Sequence, residues 1–390
     1  MADTVCLYFQ VHQPYRIRPY GFVDRGKTYF DDALNRSHLL RAVDKCYLPA
    51  NGLIGRLAAR HGDRFRVGFS LSGSALEQLA AHAPRAIDSF AALGASGAAE
   101  FLGETDSHSL ASVFSVDEFR EQVLSHRRRT EELLGAAPES FRNTELIYRD
   151  DLAPIIGRLG FTTVLVEGVD RLLEGRSCHH LYWSAREEVR LLLKNHLFSD
   201  DIAFRFADRS WSGWPLEPGP FAQRLRQAPG DSVNLFMDYE TLGEHLVAET
   251  GIFDFFDEMV DAFLAPGSTR IGSPGDVAGR FAPADTYEVR DYLSWADEAR
   301  DLSAWLGNAM QRNAAKGLFD LEEGIKASGD GQLLRDWRRL TASDHLYYMS
   351  TKGAADGVVH DYFSPHPTPH DSFASFMNIL HDLKSRIAGS

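Results

Sequence analysis

The segment VCLYFQVHQPY, from Val5 to Tyr15, places an apolar run directly before a polar His-Gln-Pro tripeptide. A short continuous run of Val, Leu and Phe is typical of a parallel strand buried on both faces. Similar runs follow at residues 66–71, 99–102, 141–144, 163–166, 190–194 and 233–237. Amphipathic helical stretches lie between them, and one of these, Val116–Leu134, ends at Gly135. This alternation predicts an α/β barrel or a doubly wound sheet.

The pattern changes after about residue 285. Helical periodicity there predicts helices at residues 295–311, 318–326, 332–351 and 372–387, and no strand of comparable quality appears. We therefore predict two parts, residues 1–285 with the α/β pattern and residues 286–390 as a C-terminal helical domain. Because no low-complexity linker separates them, we expect the two parts to pack against each other.

Composition narrows the class of protein. The 390 residues are 44% hydrophobic and 25% charged, as in an ordinary globular protein, with a net charge of −14. Such an anionic chain is a poor partner for nucleic acid, and no apolar window is long enough for a membrane span. Three cysteines and an N-terminus without a basic region predict a cytoplasmic protein. We expect neither a metal nor a cofactor, because the Cys178-His179-His180 segment lacks a second ligand pair at metal-binding spacing.

Polar residues interrupt the chain where four predicted strands end. His12 follows the first strand, His108 follows the third, Glu145 follows the fourth and Asp238 follows the last. A single carboxylate in such a place is usually a helix cap or a loop residue. Four such residues on different strands would converge on the C-terminal mouth of a barrel, where active sites lie.

Glu145 and Asp238 have the chemistry needed to cleave a glycosidic bond. One carboxylate must be ionised to attack the anomeric carbon, and the other must hold a proton for the leaving oxygen. Histidines bind sugar hydroxyls, and aromatic residues such as Tyr15, Trp211 and Trp214 are suited to stacking on the apolar faces of pyranose rings.

These residues occur in segments that resemble the five motifs of glycoside hydrolase family 57, in order and over nearly the whole chain. The compact α-amylase-like branch of the family is the most similar, through SWSGWPL near Trp211 and SWADEARDLSAWLGN near Trp295. The five segments are His12-Gln13-Pro14, GETDSHSL with His108, FRNTELIY with Glu145, LFMDYETLGEH with Asp238, and LTASDHLYYMSTK with Asp344 and His345.

The resemblance implies a distorted seven-stranded (β/α)7 barrel followed by a C-terminal α-helical bundle that closes over the cleft. It implies a retaining, metal-independent reaction on an α-glucan or maltooligosaccharide, with Glu145 as nucleophile and Asp238 as acid/base. We expect Arg142 or His245 to keep Glu145 ionised. The residues expected to bind substrate are His12, Gln13, His108, Trp211, Trp214, His245, Trp295, Asp344 and His345.

One departure from the family pattern affects the second motif. Amylase-like members tend to have two aromatic residues before the motif histidine, where this chain has Asp106 and Ser107. Fewer aromatic walls would weaken stacking or admit a different sugar, and Asp106 would add a third carboxylate near the centre. The alternative is a loop difference of little consequence.

Several alternatives remain open at this stage. The same site would serve a 4-α-glucanotransferase or a branching enzyme, according to whether water or a sugar hydroxyl accepts the glycosyl group. From other classes come a non-catalytic glucan-binding homologue and a metal-dependent carbohydrate deacetylase. Against a metal site, prolines 367 and 369 interrupt the spacing between His366 and His370. The oligomeric state is not predicted.

Overall fold

The computed structural model describes residues 1–26, 28–352 and 364–389. The strands are β1 Thr4–Val11, β2 Val67–Leu71, β3 Ala99–Phe101, β4 Ser140–Arg142, β5 Thr163–Glu167, β6 Leu181–Trp183, β7 Arg190–Lys194, β8 Ser232–Asp238, β9 Arg270–Gly272 and β10 Asp285–Thr286. They form two sheets, in the orders β3-β2-β1-β8 and β10-β6-β7-β5-β4, and β9 also pairs with β1. The seven strands that match the predicted runs are parallel around a barrel, β9 is parallel to β1 as well, and β6 runs antiparallel to β7.

The two sheets are joined on both sides, which closes the barrel. Gly103 bridges to Phe141 between β3 and β4, and its missing Cβ leaves room for the ring of Phe161, which a Cβ would approach to 2.5 Å. Between β7 and β8, the backbone N–H of Asn195 donates to the carbonyl oxygen of Asn234 at 2.9 Å. The Asn234 side chain also donates to a β7 carbonyl at 2.8 Å, replacing a ladder bond.

Strand β9 explains why the barrel is distorted. It pairs with the N-terminal half of β1, from Thr4 to Cys6, whereas β2 pairs with the C-terminal half, from Tyr8 to Val11. The two neighbours therefore share one edge of β1, and β2 is separated from β1 at the N-terminal end of the barrel. All residues of β1 are buried, as expected for a strand covered on both faces.

Helices cover the outside of the barrel and form the C-terminal part. Around the barrel these are α1 Asp32–Ala42, α2 Leu48–His61, α3 Gly73–His82, α4 Pro84–Ala95, α5 Ala111–Phe114, α6 Val116–Leu134, α7 Ala153–Arg158, α8 Asp170–Leu173, α9 His196–Ala203, α10 Pro218–Gln227, α11 Ile252–Leu264 and α12 Pro274–Arg280. The C-terminal helices are α13 Ser303–Leu306, α14 Ala309–Phe319, α15 Glu322–Ser328, α16 Gly331–Leu340, α17 Ser343–Tyr347 and α18 Pro369–Gly389.

The structure shortens two of the predicted C-terminal helices. The helix predicted from residue 295 is interrupted by left-handed backbone at Asp297 and Arg300, with φ of 55° and 50°, and regular helix begins only at Ser303. The predicted helix at 332–351 breaks after α16, where Ala342 forms an antiparallel bridge with Ser109. Sequence periodicity detects neither the left-handed residues at the first break nor the pairing with a distant segment at the second. The prediction at 318–326 spans the turn between α14 and α15, and the one at 372–387 lies inside α18.

The C-terminal helices surround an apolar cluster that also contains part of the N-terminal half of the chain. Ile17, Tyr20, Tyr29 and Phe30, from the segment after β1, pack in the same cluster as Trp337. This segment is anchored by the Tyr29 hydroxyl, which donates to a carboxylate of α18 at 2.7 Å. The division at residue 285 remains a prediction. None of the described helices is long and apolar enough to cross a membrane.

Candidate active site

Glu145 lies three residues after the end of β4, at the C-terminal mouth of the barrel, in a backbone conformation that non-glycine residues rarely adopt. Its φ is 57°, and the next residue, Leu146, has a φ of 51°. Left-handed backbone at a non-glycine residue costs on the order of 1–2 kcal/mol and needs support from the surrounding structure. That support includes the hydrogen bond from the Trp295 backbone N–H to the Glu145 carbonyl oxygen.

Both oxygens of the Glu145 carboxylate accept hydrogen bonds from the C-terminal part of the chain. The Trp295 indole N–H donates to Oε2 at 2.7 Å, and the Ser343 hydroxyl donates to Oε1 at 2.8 Å. The His108 imidazole lies 3.4 Å from Oε1. Burial alone would raise the pKa of Glu145, but His108, Arg142 and Trp295 lower it to about 2. The carboxylate is therefore held ionised and oriented.

His108 connects Glu145 to a second, fully buried carboxylate. Its Nδ1 lies 3.3 Å from Glu104 Oε2, while its Nε2 faces Glu145. Burial would lower the pKa of His108, but the two carboxylates raise it to about 9. His108 also has a left-handed backbone, with a φ of 52°. A cationic imidazole is thus fixed beside the ionised Glu145.

His12 is held by two polar groups and lies against His108. Its Nε2 lies 2.9 Å from Asp344 Oδ2, and its Nδ1 lies 2.7 Å from the Ser72 hydroxyl. Its ring stacks on that of His108 with centroids 3.9 Å apart. Burial and the nearby charge of His108 lower the pKa of His12. A neutral ring that donates from Nε2 to Asp344 and accepts from Ser72 at Nδ1 satisfies all of these contacts.

Asp238 ends β8 and is partly exposed at the mouth of the barrel. Burial and the negative charge of Glu145 raise its pKa to about 6, against the opposing effect of Arg142. The site therefore contains one carboxyl with a lowered pKa and one with a raised pKa. This is the asymmetry expected of a nucleophile and a general acid.

Arg142, the last residue of β4, contributes positive charge from beneath the site. It is completely buried, and its guanidinium nitrogens have no hydrogen-bond partner among the described residues. The guanidinium carbon lies 4.6 Å from the Trp295 ring centroid, and NH1 lies 3.8 Å from Glu104 Oε2. Its charge lowers the pKa of both Glu145 and Asp238.

For three predicted substrate residues the structure describes surroundings other than the Glu145 carboxylate. Gln13 is buried and donates to Glu240 Oε1 at 3.4 Å. His245 is exposed, and the groups that lower the Glu145 pKa most are His108, Arg142 and Trp295 instead. His345 is 1% exposed and packs against Phe376 in the helical cluster. Substrate contact by these three residues stays a prediction.

Trp211 and Trp214 lie in the segment between α9 and α10. Trp211 packs against the barrel core and under the Arg205 guanidinium, whereas Trp214 is 42% exposed and stacks with Arg209. No described hydrogen bond joins either indole to the site carboxylates. Their predicted stacking on sugar rings also stays a prediction.

Asp106 and Ser107, which depart from the family pattern, both form hydrogen bonds with residues of helix α6. Both Asp106 carboxylate oxygens accept from Arg129, at 3.0 and 3.2 Å. The Ser107 backbone N–H donates to Gln122 at 3.2 Å. Asp106 is thus neutralised by an arginine, where the sequence suggested a third carboxylate near the centre.

The sequence did not identify Ser343 or Glu104 as site residues. Glu104 is the second residue of the quoted segment GETDSHSL, and Ser343 is the fourth residue of LTASDHLYYMSTK. Their positions in these motifs were the signal that could have identified them. Among the described residues, no group of three His, Cys, Asp or Glu side chains is placed to hold a metal ion.

A barrel with one lowered-pKa and one raised-pKa carboxyl at its C-terminal mouth contains the pair of groups that glycoside hydrolysis requires. The sequence model of Glycosyl hydrolase family 57 matches residues 6–290, and the chain belongs to this family. A relative from Methanocaldococcus jannaschii, named "Putative alpha-amylase", is 38% identical over 391 residues, covering 96% of this chain and 83% of that protein.

Two solved structures share the fold. A branching enzyme of the family from Thermococcus kodakaraensis superposes with a TM-score of 0.74 at 13% identity, over 99% of this chain and 91% of that one. The alpha-amylase AmyC from Thermotoga maritima gives a TM-score of 0.66 at 11% identity, over 100% of this chain and 94% of that one. These likenesses show that the predicted distorted barrel with C-terminal helices is the fold of this chain.

Proposed function

We propose that the protein cleaves α-1,4-glucans with retention of anomeric configuration, as an α-amylase-like enzyme. The observation that carries the proposal is the placement of two carboxyls at one mouth of the barrel: Glu145, fixed by the Trp295 indole N–H and the Ser343 hydroxyl, and Asp238 at the end of β8. Their pKa values move in opposite directions, to about 2 for Glu145 and about 6 for Asp238, which supports the two roles. The name of the 38% identical relative supports α-glucan as the substrate class.

In the first step, a Glu145 oxygen attacks the anomeric carbon while the bond to the glycosidic oxygen breaks. Asp238 gives its proton to that oxygen, and a glycosyl ester on Glu145 remains. In the second step, Asp238 takes a proton from water as the water oxygen attacks the same carbon, and the Glu145 carboxylate leaves. The hydrogen bonds from Trp295 and Ser343 to Glu145 fix the direction of attack.

Trapping the glycosyl ester tests these assignments. α-Maltotriosyl fluoride needs no acid for its leaving group, whereas hydrolysis of the ester needs the base. Asp238→Asn should therefore accumulate a maltotriosyl adduct on the peptide that contains Glu145, detected by mass spectrometry. Glu145→Gln should form none. An adduct on another residue, or none in Asp238→Asn, would refute the assignment.

The products identify the acceptor. Incubation with maltoheptaose should give only shorter products, released first as α-anomers, if water is the acceptor. Products longer than the substrate would show transfer to a sugar hydroxyl. Binding of maltoheptaose without turnover by the wild-type protein would instead indicate a non-catalytic glucan-binding protein.

A further inference from the structure

Two strands lie between those that carry Glu145 and Asp238, and both end in a charged residue. Strands β5 and β7 are neighbours, and Glu167 at the end of β5 stands opposite Lys194 at the end of β7. Because all these strands are parallel, the two residues reach the same mouth of the barrel as Glu145 and Asp238. The proposed mechanism uses neither of them.

Glu167 is a buried carboxyl with incomplete hydrogen bonding. It is completely buried, and neither carboxylate oxygen has a hydrogen-bond partner among the described residues. The nearest cations are the Lys194 ammonium, 3.7 Å from Oε2, and the His196 imidazole, 3.8 Å from Oε1. A buried carboxyl that accepts no hydrogen bond is costly even beside cations at this distance, so its presence at the mouth needs a reason.

Lys194, which is 5% exposed, lies between Glu167 and the more accessible Asp200. Its ammonium lies 3.5 Å from Asp200 Oδ1 and 5.5 Å from the centroid of the Trp295 ring. The separations from Glu167 and Asp200 are longer than an ordinary N–H···O hydrogen bond of about 2.7–3.2 Å. The ammonium has three N–H donors. The two carboxylates attract it without forming short hydrogen bonds, which leaves its donors available to a further acceptor.

Asp200 and Trp295 are fixed relative to each other by Arg300. The Arg300 guanidinium donates to the Trp295 backbone carbonyl, and its NH2 lies 3.6 Å from Asp200 Oδ2. The Asp200 side chain keeps 15% of its surface accessible, and Trp295 is also partly exposed. The indole N–H of Trp295 in turn bonds to Glu145, which connects this group of residues to the reacting carboxylate.

We propose that Lys194 and Asp200 form a binding site for the hydroxyl groups of one glucan unit beside Trp295, with Glu167 as a positioning residue for the Lys194 ammonium. The inference rests on the proposed glucan-cleaving function. Neighbouring hydroxyls of a neutral sugar need one donor and one acceptor side by side, which the ammonium and the Asp200 carboxylate supply. The aromatic ring supplies an apolar surface next to them.

Steady-state kinetics on maltoheptaose test the site. Lys194→Met and Asp200→Asn should each raise KM about tenfold, since each removes a charge-assisted hydrogen bond to substrate, with kcat changed less. In the inactive Glu145→Gln background, calorimetry should show the same loss of maltoheptaose affinity. Lys316→Met is the matched control, because Lys316 forms an exposed pair with Asp320 at the end of α14, outside the barrel strands, and should leave KM unchanged.

Glu167→Gln tests the positioning role. It should raise KM with little change in kcat and in melting temperature, whereas a merely structural residue would lower the melting temperature without this split. If the enzyme turns over maltoheptaose and neither Lys194→Met nor Asp200→Asn changes KM or affinity, this inference is wrong and the proposed function still holds. Absence of both turnover and binding in the wild type would overturn the proposed function instead.

Discussion

The imidazole rings of His12 and His108 stack with centroids 3.9 Å apart and planes 19° from parallel. Two stacked imidazolium ions would repel each other, and the pKa values move in opposite directions. Glu104 and Glu145 raise the pKa of His108 to about 9 despite its burial, while burial and His108 lower the pKa of His12. The pair thus carries a single positive charge, on His108 beside Glu145, and the His12 ring stacked on it is neutral.

His108→Gln should remove the cation that keeps Glu145 ionised. Without it, burial raises the Glu145 pKa, so the acid limb of kcat/KM should move to higher pH. We expect kcat/KM at the optimum to fall about 100-fold, which corresponds to a loss of about 2.7 kcal/mol of transition-state stabilisation. His180→Gln, which removes a half-exposed histidine paired with Asp231, is the control. An unmoved acid limb would contradict this role for His108.

The pH dependence of cleavage should follow the two site carboxyls. Activity requires Glu145 deprotonated and Asp238 protonated, so kcat/KM should fall below about pH 2 and above about pH 6, given the pKa values of the two groups. The decline above pH 6 should disappear for formation of the glycosyl ester from maltotriosyl fluoride, which needs no acid. A decline that persists with the fluoride would assign the basic limb to a group other than Asp238.

Ser343→Ala and Trp295→Phe should each weaken the nucleophile's support. Each change removes one hydrogen bond to the Glu145 carboxylate, of 2.8 and 2.7 Å respectively. We expect about a tenfold loss of kcat for each, together with a higher Glu145 pKa. Trp305→Phe, in the core of the helical cluster, is the control and should lower the melting temperature with the acid limb unmoved. Unchanged kcat in both site variants would show that Glu145 does not need these donors.

The barrel strands could be predicted because buried parallel strands are continuous apolar runs bounded by polar residues. All seven predicted runs correspond to barrel strands, whose ends differ by no more than two residues. Strand β9 escaped detection because Arg270-Ile271-Gly272 contains a single large apolar residue and so shows no apolar run, although it is the element that separates β2 from β1. The helix predicted at 332–351 was too long because Ala342 pairs with Ser109, more than two hundred positions away.

The strand-end residues of the site were predictable for a similar reason. Glu145 and Asp238 follow apolar runs directly, so the parallel arrangement itself brings them to one mouth. Their environment was not predictable, because Ser343 reaches Glu145 across 198 positions of sequence. The pairing of Asp106 with Arg129 is likewise a contact between a loop and a helix face that periodicity cannot locate.

Glu240 should make the folded protein less stable as pH rises. Burial and then the charge of Asp238 raise its pKa from 4.5 to about 8, and its Oε1 accepts from Tyr47 and Gln13. Between these two values the folded protein holds a proton that the unfolded chain has lost. The free energy of unfolding should therefore fall by about 1.4 kcal/mol per pH unit from this group alone, and the loss is complete above about pH 8.

Glu240→Gln should remove that part of the pH dependence, because the amide does not titrate. The measurement is urea unfolding at several pH values between about 5 and 8, with the slope of the unfolding free energy compared between variant and wild type. Asp238 and Glu167 also have raised pKa values and contribute to the wild-type slope, so the difference between the two slopes isolates Glu240. Glu323→Gln, at an exposed position of α15, is the matched control and should keep the wild-type slope. Equal slopes for Glu240→Gln and wild type would mean that Glu240 is ionised in the folded protein throughout this range, and that Tyr47 and Gln13 compensate for its burial.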